Sequence, residues 1–508
     1  MAKKIGIGID FGTTNSLVSV DRGEKEVFSL LEGGRPHPSA VWSGPKLQVC
    51  NEAKKKISES NAVGAAGVRS IKRYLSDGSR PLLPLHPDAD ANGRVDPTRI
   101  ASEVFKHLAE HFKANMPRET LDQAVVTIPV GFGSEARKNI AAAAGLAGIE
   151  VLQFVHEPLA ALVGWFRDPV GPGLSPIPDG DYVVIDWGGG TLDICVVRAT
   201  RNKLIQLGIA DLRDQAGDTF DGLLADLAQE RFAADHGISV DVLTSNTVAR
   251  ARLIEQCEQA KITLSLESSA SVAVAGYFQV EGKPKELIQE ITRDDFESLI
   301  ESTVVRGFGE VNNAMNRAGI APTDVRSVLL VGGTANIPRI QREAASLFGD
   351  EKVRAMKDLK GQTLIAEGAA TIAEFGAGSY LAESISVDTV AGPHIVFPAG
   401  SDLPTQGQRS VVLAVTDPRP GFAYLRLFQD KRSVQARAAQ QVVELQVPIR
   451  KDVPKTRGPL EEISMKAVIT REFVLELEAT GSFEGKKVLG EGHELLFGVD
   501  LGRRKKDV

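Results

Sequence analysis

Apolar positions along the chain recur with two different periods, and the change from one to the other divides it. Over the first three-quarters, short apolar runs alternate with segments whose apolar residues return every three or four positions. That is the pattern of an α/β architecture. Ile100, Val104, Leu108 and Phe112 recur every four residues. They predict a helix from about Pro97 to Lys113, with Pro97 in a first turn that tolerates it. The Pro/Gly-rich stretch from Arg167 to Asp181 predicts a loop between two subdomains. Near Phe375 the pattern changes, and FGAGSYLAESIS reads as a helix end followed by a linker. Beyond it, Val443, Leu445, Val447 and Ile449 alternate with Glu444, Gln446 and Pro448. Phe473, Leu475, Leu477 and Ala479 alternate in the same way with Val474, Glu476 and Glu478. Period-two alternation predicts half-buried antiparallel strands, and a β-rich region from about Ile385 to Leu501. The expected organisation is a first domain over residues 1–378, a linker over 379–392 and a β-rich domain over 393–508.

Bulk properties narrow the class without naming it. A chain of 508 residues exceeds one hydrophobic core, so at least two domains are expected. Its formal net charge of -7 gives no reason to expect nucleic-acid binding, and the short basic run Arg503 to Lys506 reads as a solubilising tail. Three widely spaced cysteines, Cys50, Cys195 and Cys257, exclude a disulfide framework and a CxxC knuckle, and suit a reducing cytoplasm. No apolar run approaches the roughly 20 residues a bilayer requires. Met1 to Lys4 leads straight into IGIGID, so no signal peptide is expected. A soluble, cytoplasmic protein without a membrane partner is the expectation.

One internal echo carries the chemistry. IGIDFGTT (7–14) and VIDWGGGT (184–191) each run from an apolar strand through Asp and an aromatic residue to a glycine turn. Two copies suggest two similar lobes facing each other across a cleft. At the first turn, Asp10 precedes Gly12, Thr13 and Thr14; at the second, Asp186 precedes Gly188, Gly189, Gly190 and Thr191, with Asp193 just beyond. Backbone N–H groups of such turns make anion nests, and flanking carboxylates suit Mg²⁺ on a polyphosphate. Either turn alone is as readily an ordinary glycine turn; the pair in matching context is not. Neither a Walker A loop nor a GxGxxG opening a helix is present. A third apolar strand ends in Gly332, Gly333 and Thr334, followed by Asn336, where backbone could approach a flat ligand. Glu258, Lys261 and Ser265 share one helix face, which by itself is more simply a solvated face.

IGIDFGTTNS, VVTIPVGFGSEAR, VHEPLAAL, VVIDWGGGTLDI, AGDTFD, CEQAKITLS and VLLVGGTANIP occur in the order found in heat-shock protein 70 chaperones. The chain resembles that family from about Ile5 to Ala370. The resemblance implies an actin-like (ribonuclease H-like) two-lobed ATPase domain followed by a smaller β-rich domain, and slow hydrolysis of ATP to ADP and phosphate. It implies that Asp10, Glu157 and Asp186 hold Mg²⁺, and that Thr13, Thr14, Asn15 and Gly188 to Thr191 contact phosphates. Lys72 in SIKRYL matches the lysine that organises the γ-phosphate and attacking water; without the resemblance it reads as a surface lysine. Gly217 matches a loop glycine near the nucleotide, and Glu258, Lys261 and Ser265 match the adenosine-binding helix. Pro129 and Arg137 match residues that relay nucleotide state to the second domain. Peptide clients and a nucleotide-exchange factor follow as implied partners.

Departures from the family are equally specific. Asn336 stands where an arginine commonly stacks on adenine, so weaker adenine affinity is expected. Gln362 replaces a usual aspartate, and Gly131 replaces a tyrosine after the relay proline. Gln153 and His156 replace residues that J-domain proteins usually engage, leaving a J-domain partner open. FPAGSDLPTQGQRSVV and FVLELEATGSFEGKKV resemble parts of the peptide-binding β-sandwich, while the leucine-rich linker and the helical lid are not recognisable. A lidless, divergent member is the expectation. Two rivals share the fold: an ATP-dependent scaffold or filament, and a small-molecule kinase. His107, Glu110 and His111 also spell HxxEH on a helix, but with no evident third ligand zinc catalysis is not expected.

Overall fold

The structure is a computed structural model that describes residues 5–23, 26–59, 66–167, 177–201, 203–244, 247–280, 283–356, 359–417, 420–430, 440–450, 461–483, 485–492 and 495–504. Two central sheets repeat one topology. In the first, Gly6–Phe11 and Asn15–Asp21 form an antiparallel hairpin extended by Val27–Leu30, while Gln123–Ile128 and Glu150–His156 continue in parallel on the other side. In the second, Gly180–Trp187 and Thr191–Thr200 form the hairpin, extended by Lys203–Arg213, with Val325–Val331 and Val353–Ala355 in parallel. The echo between residues 7–14 and 184–191 is therefore a duplication of the hairpin at the centre of each lobe. Parallel neighbours need crossovers, which helices supply and which cover the sheets.

The helix Lys360–Phe375 ties the first lobe together at very short range. A Cβ on Gly8 would meet Ala370 N at 2.2 Å, and one on Gly368 would meet Ala160 O at 1.8 Å. Glycine is the only residue these crossings accept. The expected helix at 97–113 runs Pro97–Asn115, its cap Asp96 accepting from Thr98 N at 2.8 Å and Pro97 opening the first turn. Its four-residue apolar stripe is buried, and Phe105 stacks on Phe11 at 4.8 Å between centroids.

Beyond residue 380 two four-stranded sheets pack as a sandwich. One is ordered His394–Phe397, Ser384–Val387, Phe422–Asp430, Gln440–Pro448; the other Arg409–Ala414, Glu462–Ile469, Leu475–Gly481, Lys487–Gly492. Val443, Leu445, Val447 and Ile449 point inward as the alternation requires. Val474, expected to face out, is buried. The strand begins only at Leu475, and Phe473 before it takes a left-handed turn at φ 57°.

Residues 379–392, expected as a linker, instead carry most of the strand Ala377–Leu381 and all of Ser384–Val387, the latter buried throughout. The last strand, Phe497–Arg504, leaves the sandwich and inserts between Lys203–Arg213 and Ala377–Leu381. The second lobe's sheet thereby grows to seven strands and its edge is covered. Arg504 ends this strand, while the remainder of the basic run and most of the expected 167–181 loop lie outside the described residues. No helix among the described residues is long and apolar enough to cross a membrane.

Phe497 seats this strand. It is fully buried, 4.4 Å from the His156 ring and 4.9 Å from Phe473 between centroids. Phe497→Ala is expected to lower stability by about 3–5 kcal/mol in chemical denaturation; a loss below about 1 kcal/mol would mean the strand is not docked there.

Candidate functional site

The two hairpins point their turns at each other. A Cβ on Gly12 would meet Asn15 O at 2.1 Å, so the first turn closes only with glycine there. In the second, Gly188 N donates to Thr191 O at 2.9 Å, and the carbonyls of Gly188 and Gly189 accept from Gly217 N and Asp218 N at 3.1 and 2.7 Å. The turns also touch across the cleft. A side chain on Gly189 would meet Thr14 Oγ1 at 1.9 Å, and one on Gly190 would meet Thr13 Cγ2 at 2.5 Å. Gly217 is hemmed in by Thr334 and Lys261, and Thr334 Oγ1 donates to Gly188 O at 2.7 Å.

Behind the turns lies a buried group of carboxylates. Asp10 and Asp186 come from the ends of the two duplicated strands, and Glu157 opens the helix Glu157–Phe166 at the end of a parallel strand. Lys72 is only 1% exposed, which overturns the reading of it as a surface lysine, and its Nζ donates to Glu157 Oε1 at 2.5 Å over the Phe132 ring. Burial, reinforced by the charge of Glu157, pushes the Asp10 carboxyl up to about 7 and that of Asp186 well above the usual range. Asp193 is likewise pushed up to about 7 by burial and Glu157, although it accepts from Val130 N at 2.7 Å. Its Oδ2 is buried without a hydrogen-bond partner. Three buried carboxylates and the partly buried Asp10 around one ammonium are short of positive charge, and an all-oxygen donor set fits a hard divalent cation such as Mg²⁺.

On the open side is a cavity of about 1140 Å³ lined by Thr14, Asn15, Glu258, Lys261, Ser265 and Asn336, among others. Glu258 is bridged across the cleft by Lys54 at 2.8 Å. Lys261 Nζ donates to Asp221 Oδ2 at 2.8 Å and to Gly217 O at 3.0 Å, and Ser265 Oγ donates back to Lys261 O at 3.0 Å. Burial pushes the Asp221 carboxyl up to about 7 against the pull of Lys261. Gly332, at φ 84°, leaves no room for a side chain, since a Cβ would lie 2.3 Å from Trp187 O. Gly333 and Asn336 line the cavity, and Asn336 Nδ2 donates to Gly333 O at 3.3 Å.

The residues expected to meet nucleotide and cation thus fall into two adjoining clusters, one of carboxylates and turns, the other of helix face and cavity, whereas Arg137 lies apart at the β region. Sequence reasoning missed Thr127, whose hydroxyl donates to Asp10 Oδ1 at 2.8 Å, as well as Lys54 and Asp221. Asp193 was noted only as a neighbour of the second turn. Alternation within Thr191–Thr200, which puts residues 191 and 193 on one face, was the available signal.

The departures have physical causes. A side chain on Gly131 would meet Asp211 Oδ2 at 2.2 Å, and Arg213 donates to the Gly131 carbonyl. Gln153 Nε2 donates to Ala377 O at 3.1 Å, and the buried His156 Nδ1 lies 2.9 Å from Gln206 Nε2. Arg137, fully buried, donates from Nη1 to the carbonyls of Glu472 and Phe473 at 3.1 Å each, and burial lowers it to about 9.

Two lobes of one topology, meeting at paired glycine turns over buried carboxylates, define an actin-like, two-lobed fold. Residues 6–395 match the model of the Hsp70 protein family, and the chain belongs to that family. It is 30% identical over 395 residues to "Chaperone protein HscA" of Serratia proteamaculans, covering 74% of this chain and 59% of that protein. It is 30% identical over 394 residues to "Chaperone protein DnaK" of Thermus thermophilus, covering 73% and 60%. A "Chaperone protein HscA" of Salmonella newport is 32% identical over 392 residues, covering 74% and 59%. The matched region therefore spans about three-fifths of these relatives' own length.

Because the turns touch, a side chain between them must wedge the lobes. Gly190→Val is expected to cost about 1–3 kcal/mol and to speed amide exchange in both turns. Unchanged stability and exchange would mean that the turns do not meet.

Proposed function

We propose that this protein binds ATP with Mg²⁺ in the cleft and hydrolyses it slowly, as an Hsp70-type chaperone whose nucleotide state acts on its C-terminal β region. The observation that carries the reading is the group of buried Glu157, Asp186 and Asp193 and partly buried Asp10 around Lys72, set directly behind two glycine turns. In this reading Asp10, Glu157 and Asp186 hold the cation, which when bound offsets the charge of the phosphates. Thr13, Thr14 and Asn15 receive the β- and γ-phosphates, and the Gly188 to Thr191 turn closes over them. Lys72, fixed by Glu157 and Phe132, places an ammonium where charge builds during transfer to water. Thr191, on the same face of its strand as Asp193, orients the attacking water. Catalysis by positioning and charge neutralisation is what phosphoryl transfer asks of a protein.

The adenosine lies in the cavity between Glu258, Lys261, Ser265 and the Gly333–Asn336 turn, with Asn336 giving weaker stacking than an arginine would. Residues 1–378 form the nucleotide-binding unit, and the sandwich beyond it receives extended peptide clients. Arg137 is one of several direct ties between the two. A nucleotide-exchange factor fits the open side of the cleft. A J-domain partner at Gln153 and His156 does not fit, since this chain's own strands cover that face. Family membership disfavours the filament and sugar-kinase readings.

Steady-state ATP hydrolysis with and without an extended hydrophobic peptide tests the proposal. Slow turnover that rises with peptide is expected; none at all would end the ATPase reading, and indifference to peptide would end the coupling. Thr191→Ala and Lys72→Ala should each lower turnover on the order of 10²–10³-fold. Lys72→Ala should also cost about 3–5 kcal/mol in stability, because it strands a buried carboxylate. Wild-type turnover in both variants would overturn the site assignment.

A further inference from the structure

A second cluster of donors sits on the first lobe, away from the carboxylates. His37 is fully buried in the two-residue strand His37–Pro38, Cys50 is a buried free thiol opening the helix Cys50–Glu59, and His107 is partly exposed on Pro97–Asn115. One ligand atom from each lies within 4.8 Å of the others. Glu32 joins them, its Oε2 being 3.3 Å from His37 Nδ1 and 3.5 Å from His107 Nε2. The two imidazole nitrogens are themselves 3.3 Å apart. A tetrahedral centre with nitrogen and oxygen ligands at about 2.0–2.1 Å has ligand-to-ligand edges of about 3.3–3.4 Å. Two histidines and a carboxylate already stand at that spacing, and the Cys50 thiol lies within 4.8 Å of both imidazoles, so it must move closer when a metal binds.

Two details favour a metal over a simple hydrogen-bonded histidine pair. His37 Nε2 lies 3.2 Å from the Leu30 carbonyl, which cannot donate, so that nitrogen carries the proton and Nδ1 presents a lone pair to the cluster. A backbone carbonyl behind a histidine is how proteins fix the tautomer of a metal ligand. Cys50 is held at φ 55°, a left-handed conformation that non-glycine residues seldom adopt and that clusters at functional positions. We propose that His37, Cys50, His107 and Glu32 form a tetrahedral site for a divalent transition metal, zinc by its donor set.

The site accounts for half of the HxxEH motif. His107 is a ligand, but the carboxylate comes from Glu32, whereas Glu110 is exposed. His111 lies beside the His37 ring at 4.6 Å with its Nε2 near Asn115 Nδ2 at 3.1 Å, outside the donor set. With all four positions filled by protein, the metal would be structural rather than catalytic. Its place matters, because His37 pairs with Ser16 and the adjoining Ser39 Oγ donates to the Gly12 carbonyl at 2.7 Å. A bound ion would pin the strand that supports the first glycine turn.

The test uses the full chain, reduced, stripped with chelator and reloaded with Zn²⁺ in the presence of excess Mg²⁺. About one zinc per chain retained through gel filtration is expected; a negligible amount retained by the folded protein overturns the site. With Co²⁺ as probe, intense tetrahedral d–d bands and a thiolate charge-transfer band should appear, and the latter should vanish in Cys50→Ser. His107→Ala, at a partly exposed position and so safe for folding, should weaken Zn²⁺ binding at least about tenfold. Pale octahedral Co²⁺ spectra, or binding indifferent to both substitutions, would place any bound metal elsewhere and refute the assignment.

Discussion

Everything in the first 375 residues is organised by the need to hold negative charge in a dry place. Asp10, Glu157, Asp186 and Asp193 repel one another at close range, and among the described residues Lys72 alone places an ammonium in their midst. Such a group persists only where the surrounding scaffold over-determines it. The scaffold here is two sheets with the same strand order, each delivering one aspartate from the central strand of its hairpin. The glycine contacts of the Lys360–Phe375 helix draw the first lobe tight around this centre, and the paired turns close it from the front. Burial, reinforced by the charge of Glu157, pushes the carboxyls of Asp10, Asp186 and Asp193 upward. A carboxylate cluster of this kind is the feature on which the proposed cation and phosphate site rests.

Much of this was legible in the sequence, and for a definite reason. The duplicated strand–Asp–turn device is local, so seven or eight consecutive residues carry both its geometry and its chemistry. The helix at Pro97 was legible because its apolar stripe and its cap are also local. What escaped were pairings between distant residues. Nothing near Lys72 says that it will be buried on Glu157, and nothing near Lys54 announces Glu258 across the cleft. The linker expected at 379–392 failed for the same reason. Small and polar residues such as those of FGAGSYLAES do not look like strand, yet a waiting sheet edge and the returning strand Phe497–Arg504 make them one.

The positions that depart from the family become coherent once that returning strand is considered. Gly131 is small because Asp211 and Arg213 occupy the space above it. Gln153 satisfies the carbonyl of Ala377, while His156 packs on Phe497 and meets Gln206, whose Oε1 accepts from Phe497 N at 3.2 Å. Arg137 reaches past the lobe to the turn before the strand Leu475–Gly481. These residues make the face an internal seam, so the β region and the lobes are packed together there.

That seam also sets an order of events during synthesis. Lys203 pairs with Asp500, so the second lobe's sheet cannot finish until about 300 further residues have been made. At typical elongation rates of about 5–20 residues per second, the strand Lys203–Arg213 waits roughly 15–60 s with an unpaired edge. Closing so long a loop carries an entropic cost on the order of 5 kcal/mol, which the buried Phe497 must help to offset. The nascent chain thus carries, for roughly 15–60 s, the kind of open sheet edge on which other chains aggregate.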